Sequence, residues 1–348
     1  MREVKRVLLT GATGFVGLHV YPRLTAAGFS VVCGSRQPEQ AQRRYPGRPF
    51  IQLDVSDIDS TSRAMQGCDA AIYLVHSMAD VRRYERAEER EARIFLRAAE
   101  KAQLQRIVYL GGIRPHTKPS RHLRSRARTG EVLRGGTVST IELQATMVIG
   151  PGSESWRIVR DLSARLPVML LPRWLDSLSQ PIYIDDVTNA IRLALTLEQS
   201  GSAAYSLPGP DTLSAREILE RTARWLNLDP VMLSVPVITP RLSSYWIALV
   251  TRTHRKIARQ LVEGLRSDLV ATDLGFWRHF PEYQRVSFDD AARRALRAED
   301  ETLSLGDRVA EWLLHRVTRA RPKDRRDTRD TRDPRDTSER STPANVVS

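Results

Sequence analysis

Cysteine is nearly absent: Cys33 and Cys68 are the only two in 348 residues. Two distant thiols and seven scattered histidines exclude a disulfide framework and leave no metal-ligand spacing, so no metal site is expected. Both thiols sit in or beside apolar segments and read as reduced core residues, as expected of a cytoplasmic protein. Long apolar runs are also lacking. The basic start MREVKRVLLTGATG meets glycine before a signal-peptide core could form. The longest weakly charged run, Val231 to Val250, carries Arg241 and is broken by Ser234, Pro236, Pro240, Ser243 and Ser244. A spanning helix needs ~20 apolar residues, so no transmembrane segment is expected. Aromatics are scarce at 6%, yet 41% of the chain is apolar, enough for a sizeable core.

Charge is unbalanced, at +13. Residues 319–348 hold nine basic and six acidic side chains, so +10 remains on the rest. Such a field favours phosphate-bearing ligands, nucleic acid or an anionic membrane surface. No nucleic-acid recognition motif accompanies it, so nucleic acid is not expected as a partner. Within the tail, residues 326–337 are four triplets, Arg-Asp-Thr three times and Arg-Asp-Pro once, without an apolar residue, and the segment reads as disordered.

Strand and helix patterns alternate over residues 1–150. Val4–Thr10, Ser30–Ser35, Phe50–Asp54, Ala70–Val75, Arg106–Leu110 and Thr137–Leu143 read as strands. Between them, Phe15–Ala27, Ala79–Ala102 and Arg124–Leu133 read as helices, the second with a stripe through Ile94, Leu96 and Ala98. Ser56 or Asp57 is placed to cap a short helix after the third strand. This alternation predicts an α/β fold: a doubly wound parallel sheet covered on both faces. All six tryptophans and two proline clusters follow residue 150, which predicts a smaller substrate-side lobe over 151–318, interleaved with the sheet, or an ordinary second core.

The sharpest motif is Thr10-Gly11-Ala12-Thr13-Gly14-Phe15-Val16-Gly17. It follows a strand and opens a helix, the context in which a glycine-rich turn holds a dinucleotide diphosphate. Gly11 permits the turn, Gly14 lets the backbone approach the pyrophosphate, and Gly17 lets the helix pack on the strand. Free amides at the helix start and the helix dipole attract the anion. The second strand ends Cys33-Gly34-Ser35-Arg36 without an acid for a ribose 2′-hydroxyl. Ser35 and Arg36 suit a 2′-phosphate, so NADP is favoured over NAD. Asp54 and Val55 after the third strand are placed for adenine, and Val75, His76 and Ser77 after the fourth for the nicotinamide ribose. Gly111 and Gly112 close the fifth strand at the same edge.

These motifs, with LDVSD (53–57), YLVHSM (73–78), IVYLGGI (107–113), HLRSRARTGEVLR (122–134), MVIGPG (147–152) and QPIYIDDV (180–187), resemble the extended short-chain dehydrogenases/reductases of the atypical, NmrA-like type. These belong to the NAD-dependent epimerase/dehydratase superfamily, and PVITPRLSSYWIALVT (236–251) resembles a bacterial NAD(P)-binding subgroup. The resemblance covers residues 1–290 or so and implies a Rossmann-type fold. It also implies a Ser, Tyr, Lys catalytic set, from which this chain departs. Leu110-Gly111-Gly112 offers no hydroxyl where the serine belongs. His122 and Arg126 stand at the spacing of the Tyr-x-x-x-Lys pair. His122 is then the candidate proton donor and Arg126 a ribose or phosphate ligand. Tyr183 lies in a turn that the family places near the substrate; Gln180 and Tyr245 are candidate pocket residues and Met147–Gly152 a nicotinamide border. Asp185 or Asp186 reads as a helix cap.

The expected activity is an NADPH-dependent reduction of a small apolar carbonyl or quinone-like substrate. The alternative is a dinucleotide-binding sensor or assembly factor that acts through a protein partner. Ser243–Val250 beside Arg252, His254, Arg255, Lys256 and Arg259 also permits peripheral membrane contact.

Overall fold

The computed structural model describes residues 3–76, 84–115, 119–165, 168–235 and 267–302. Ser77, Tyr245, the basic-aromatic stretch after Ser243 and the tail over 319–348 lie outside the described residues.

A seven-stranded, all-parallel sheet forms the centre. Its strands are β1 (Arg6–Leu9), β2 (Ser30–Ser35), β3 (Phe50–Gln52), β4 (Ala70–Tyr73), β5 (Arg106–Gly112), β6 (Ser139–Ala145) and β11 (Ala203–Ser206). The order is β3-β2-β1-β4-β5-β6-β11. The chain winds outward from β1 to β3, returns to β4 on the other side of β1, and winds outward again. This is the doubly wound order expected from the alternation, and its direction reverses between β1 and β4. At such a reversal the flanking loops part, leaving a crevice at the carboxyl ends of the strands.

Alternation along each strand sorts side chains to two faces. Val7 and Leu9 join one buried cluster and Leu8 the other. The first cluster is covered by α1 (Phe15–Ala26), α7 (Ile184–Thr196) and α9 (Phe288–Thr302); the second by α3 (Ile58–Ala64), α4 (Tyr84–Lys101) and α5 (Arg121–Arg134). The buried stripe of α4 runs through Glu88, Ala92, Phe95 and Ala99, with Ala98 beside it. It is shifted from the stripe read in the sequence: Ile94 is only half-buried, and a carboxylate opens the stripe. Asp57 caps α3, accepting from the amides of Asp59 at 3.1 Å and Ser60 at 3.3 Å. Ser120 caps α5, accepting from Leu123 N at 3.3 Å.

Residues after 150 contribute to this same sheet through β11 and α7, and add small two-stranded sheets beside it. Trp156 is fully buried, and Trp277 stacks on Tyr283 with 4.7 Å between ring centroids. Asp186 corrects an expectation. The helix α7 starts from Tyr183 without a side-chain cap. Asp186 is buried and instead accepts from Tyr283 Oη at 2.7 Å and Val286 N at 3.0 Å. Its carboxylate ties down the 283–286 segment, a partner too distant in sequence for local capping rules to find.

Two buried charges lock the sheet to its helices. The Glu142 carboxylate on β6 meets Arg134 Nε at 2.8 Å and occupies the space above Gly130 of α5. A Cβ on Gly130 would lie 2.3 Å from Glu142 Oε2, which accounts for a glycine in mid-helix. Arg106 at the start of β5 is fully buried. Its guanidinium donates to the carbonyls of Ala194 at 3.0 Å, Leu197 at 2.5 Å and Gln199 at 3.2 Å, closing the carboxyl end of α7. Arg106→Met leaves those carbonyls without their cation and is expected to cost about 2–4 kcal/mol, read from chemical denaturation. An unchanged midpoint would refute the clamp.

Candidate active site

The glycine turn sits at the carboxyl end of β1, beside the reversal. Thr10 is buried and bridges β1 to β4: its amide donates to Ile72 O at 3.0 Å and its hydroxyl accepts from Leu74 N at 2.9 Å. Gly11 has φ +62°, a left-handed conformation that favours glycine, and a Cβ there would meet Leu74 O at 2.9 Å. Gly17 packs against the turn itself, since a Cβ would fall 2.3 Å from Gly11 O. Ala12 is buried, Thr13 exposed and Val16 half-buried, packed on the core.

The turn fits a diphosphate. Helix α1 begins at Gly14 with no side-chain cap and no acid in its first turn. Its opening N–H groups therefore present an uncancelled positive end to the crevice. The Met147–Gly152 loop comes to the same place, because a Cβ on Gly150 would lie 3.2 Å from the Phe15 ring.

At the β2 end, Ser35 Oγ accepts from Gln37 N at 3.1 Å and Arg36 is exposed. Asp54 Oδ1 accepts from Ser56 N at 2.9 Å and Ser56 Oγ at 2.7 Å, bonds that hold its carboxyl below the ordinary range. Val55 is buried in the core under α3 and α4. One neighbour was not legible in the sequence: Glu91 on α4 feels the charges of Asp54 and Arg36. Burial first, then Glu88 and Asp54, raises the Glu91 carboxyl, and its Oε2 is buried without a partner.

Val75 and His76 follow β4, and Val75 is half-buried against the α4 side. Gly111 and Gly112 lie in β5. A Cβ on Gly111 would meet Glu142 Oε1 at 2.8 Å, and one on Gly112 would meet Leu123 at 3.3 Å and Arg126 at 3.7 Å. The glycines thus let α5 settle close over the strand end. There Arg126 Nη2 donates to Leu110 O, and the Arg126 carbonyl accepts from Tyr109 Oη at 3.1 Å.

His76 and His122, 46 residues apart, meet at this edge. His76 Nε2 lies 3.2 Å from His122 Nδ1, with the rings edge to face at 4.6 Å. His76 Nδ1 lies 2.7 Å from Oε1 of Glu88, a residue only 4% exposed. Ser125 Oγ donates to the other carboxylate oxygen. Neither Glu88 nor Ser125 was singled out in the sequence. The signal was a glutamate on the apolar stripe of α4, four residues before Ala92. Burial first, opposed by the bond to Glu88 and reinforced by the Arg126 charge, lowers the His76 imidazole. Burial, then Arg126, then His76, holds His122 down to about 2. Both rings are therefore neutral at pH 7. Tyr183 is not part of this group. It is buried on the α1 and α7 face of the sheet, with the Arg294 guanidinium 5.7 Å from its ring.

Residues 11–147 match the NAD(P)H-binding family model. The (4-alkanoyl-5-oxo-2,5-dihydrofuran-3-yl)methyl phosphate reductase of Streptomyces griseus is 29% identical over 230 residues, 64% of this chain and 74% of that protein. Subunit 9 of the NADH dehydrogenase (ubiquinone) 1 alpha subcomplex of Arabidopsis thaliana mitochondria is 28% identical over 227 residues, 60% of this chain and 55% of that protein. Among solved structures, the triphenylmethane reductase of Citrobacter sp. complexed with NADP(H) superposes with a TM-score of 0.67 at 14% identity, over 83% of this chain and 99% of that one. Residues 11–147 are an NAD(P)H-binding domain, and the likenesses fit the atypical extended short-chain dehydrogenases/reductases. The fold carries that NAD(P)H-binding domain, and among the described residues no helix is long and apolar enough to cross a membrane.

The depressed His122 pKa has a sign that stability measurements read. The unfolded chain protonates this ring near 6.5, whereas the folded chain resists protonation down to about 2. The unfolded state therefore binds more protons below pH 6.5, and stability falls as pH drops, by at most about 1.4 kcal/mol per pH unit from this ring. Urea unfolding at several pH values should show a shallower acid loss in His122→Gln than in wild type. Equal slopes would mean that His122 is not held neutral by the fold.

Proposed function

We propose that the chain is an NADPH-dependent reductase of a small, largely apolar carbonyl or quinone-like compound, with His122 exchanging the proton in place of the usual tyrosine. The observation that carries this reading is the meeting, at one sheet edge, of the glycine turn and the His76–His122 pair. Gly11, Gly14 and Gly17 with the first amides of α1 would hold the diphosphate, Ser35 and Arg36 the 2′-phosphate, and Arg126 the ribose side. When bound, the reduced dinucleotide supplies a hydride. His122 then supplies the proton at the substrate oxygen, which needs only hydrogen-bond reach and a ring nitrogen able to exchange a proton. The likeness to a reductase of a furanone phosphate and the fold shared with a triphenylmethane reductase support a reductase of an organic compound.

A second reading is a dinucleotide-binding sensor or assembly factor. The likeness to a respiratory-complex subunit favours it, as does a proton donor that departs from tyrosine. The two part on turnover. NADPH oxidation with a panel of aldehydes, ketones and quinones is expected to proceed in wild type and to fall at least tenfold in His122→Ala. Turnover retained in the variant would remove His122 from the chemistry. No turnover with any compound, together with a protein partner whose binding differs between NADPH and NADP⁺, would favour the sensor.

The choice of NADP rests on Arg36. Calorimetric titration of both dinucleotides is expected to show NADPH binding weakened roughly tenfold or more in Arg36→Ala, the loss of one charge-assisted contact, with NADH changed little. Equal losses for the two would give Arg36 no role in the choice.

A further inference from the structure

Glu88, His76 and His122 form an unbroken line of hydrogen-bonding atoms. Glu88 Oε1 faces His76 Nδ1 at 2.7 Å, and His76 Nε2 faces His122 Nδ1 at 3.2 Å. The line starts on the buried stripe of α4 and ends on the first turn of α5, beside the crevice. Each imidazole uses both nitrogens or leaves one for an incoming group: His122 Nε2 takes no partner from the described residues. Ser125 satisfies one oxygen of Glu88 and ties α4 to α5. Here two rings are interposed between the carboxyl and the site.

We infer that Glu88, His76 and His122 form a proton relay in which two imidazoles carry a proton between a buried carboxyl and the site. Glu88 and His76 are positioning residues acting through His122. The inference rests on the reductase reading for the identity of the oxygen that exchanges the proton.

The relay has two states. With Glu88 ionised, His76 donates from Nδ1 to the carboxylate, His122 donates from Nδ1 to His76 Nε2, and His122 Nε2 holds a lone pair. With Glu88 protonated, every donor and acceptor is reversed, and His122 Nε2 carries hydrogen. In reduction, the His122 Nε2–H bond breaks as the substrate O–H bond forms. His122 Nδ1 takes the proton of His76 Nε2, and His76 Nδ1 takes the proton of Glu88. One proton has moved from carboxyl to product, and each ring still holds one. No imidazolium forms, which accords with the burial of both rings and with the Arg126 charge facing them. Ser125 donates to Glu88 Oε2 in both states and keeps Oε1 turned to His76. Among the described residues, the titratable and charged groups around the line include Arg126 on α5, Glu91 on α4, Tyr73 on β4 and Tyr109 on β5.

The test needs neither dinucleotide nor substrate. Full-length protein carrying ¹⁵N-histidine is examined by long-range ¹H–¹⁵N correlation of the ring nitrogens between about pH 5 and 8. His76→Gln and His122→Gln assign the two rings. Both rings are expected to stay neutral and to exchange tautomers together in one shared transition. Glu88→Gln keeps hydrogen-bonding groups for Ser125 and His76 but has no exchangeable carboxyl proton, and there the transition should vanish. An imidazolium at either ring, a fixed tautomer in wild type across the range, or a transition persisting in Glu88→Gln would overturn the relay. The wild-type titration decides even if Glu88→Gln misfolds. Failure to bind NADPH would sink the reductase reading and leave this result standing, so the two fail separately.

Discussion

The architecture turns on the seam between β1 and β4, which the Thr10 hydroxyl holds through the Leu74 amide. A parallel sheet that winds both ways from its middle must part its loops at the point of reversal. The seam keeps the strands paired up to the last residue before that opening. Gly11 then turns away in a conformation that most side chains resist, and Gly17 allows α1 to close over the turn. The helix start without a side-chain cap, the β4 exit and the β5 end all face one crevice because this seam places them there.

Burial does the second half of the work. A glutamate on the apolar stripe of a helix is costly unless its oxygens are satisfied. Glu88 finds one partner on the β4 exit and another on α5. It thereby ties α4 to α5 and holds His76, and through His76 His122. The same low-dielectric surroundings that make the carboxylate expensive keep both rings uncharged. Structural and chemical roles of this group are two descriptions of one constraint.

The sheet, its parallel sense and the glycine turn were legible in the sequence, because each rests on local pattern. Apolar runs, glycine spacing and helix starts are properties of neighbours along the chain. The residues that were missed or misassigned depend on distant partners. Asp186 has the look of a helix cap but serves a tyrosine 97 positions later. Arg106 looks like a polar strand entrance, yet its partners lie 88 to 93 positions downstream. Glu88 is invisible within a helix rich in charge until the burial of its stripe is known. Glu91 shows the same limit: the acid near Arg36 comes from α4, not from the strand end where the pattern directs attention.

The Arg106 clamp has a consequence for how the molecule is assembled. Its guanidinium sits in the strand that carries the active edge, but the oxygens it satisfies belong to a segment translated some ninety residues afterwards. Within the nucleotide-binding half the guanidinium meets the Ser139 hydroxyl at 3.5 Å, while its three carbonyl partners all come from the later segment. The second half is thus bound to the sheet through a buried guanidinium as well as through β11, and the two halves share one core.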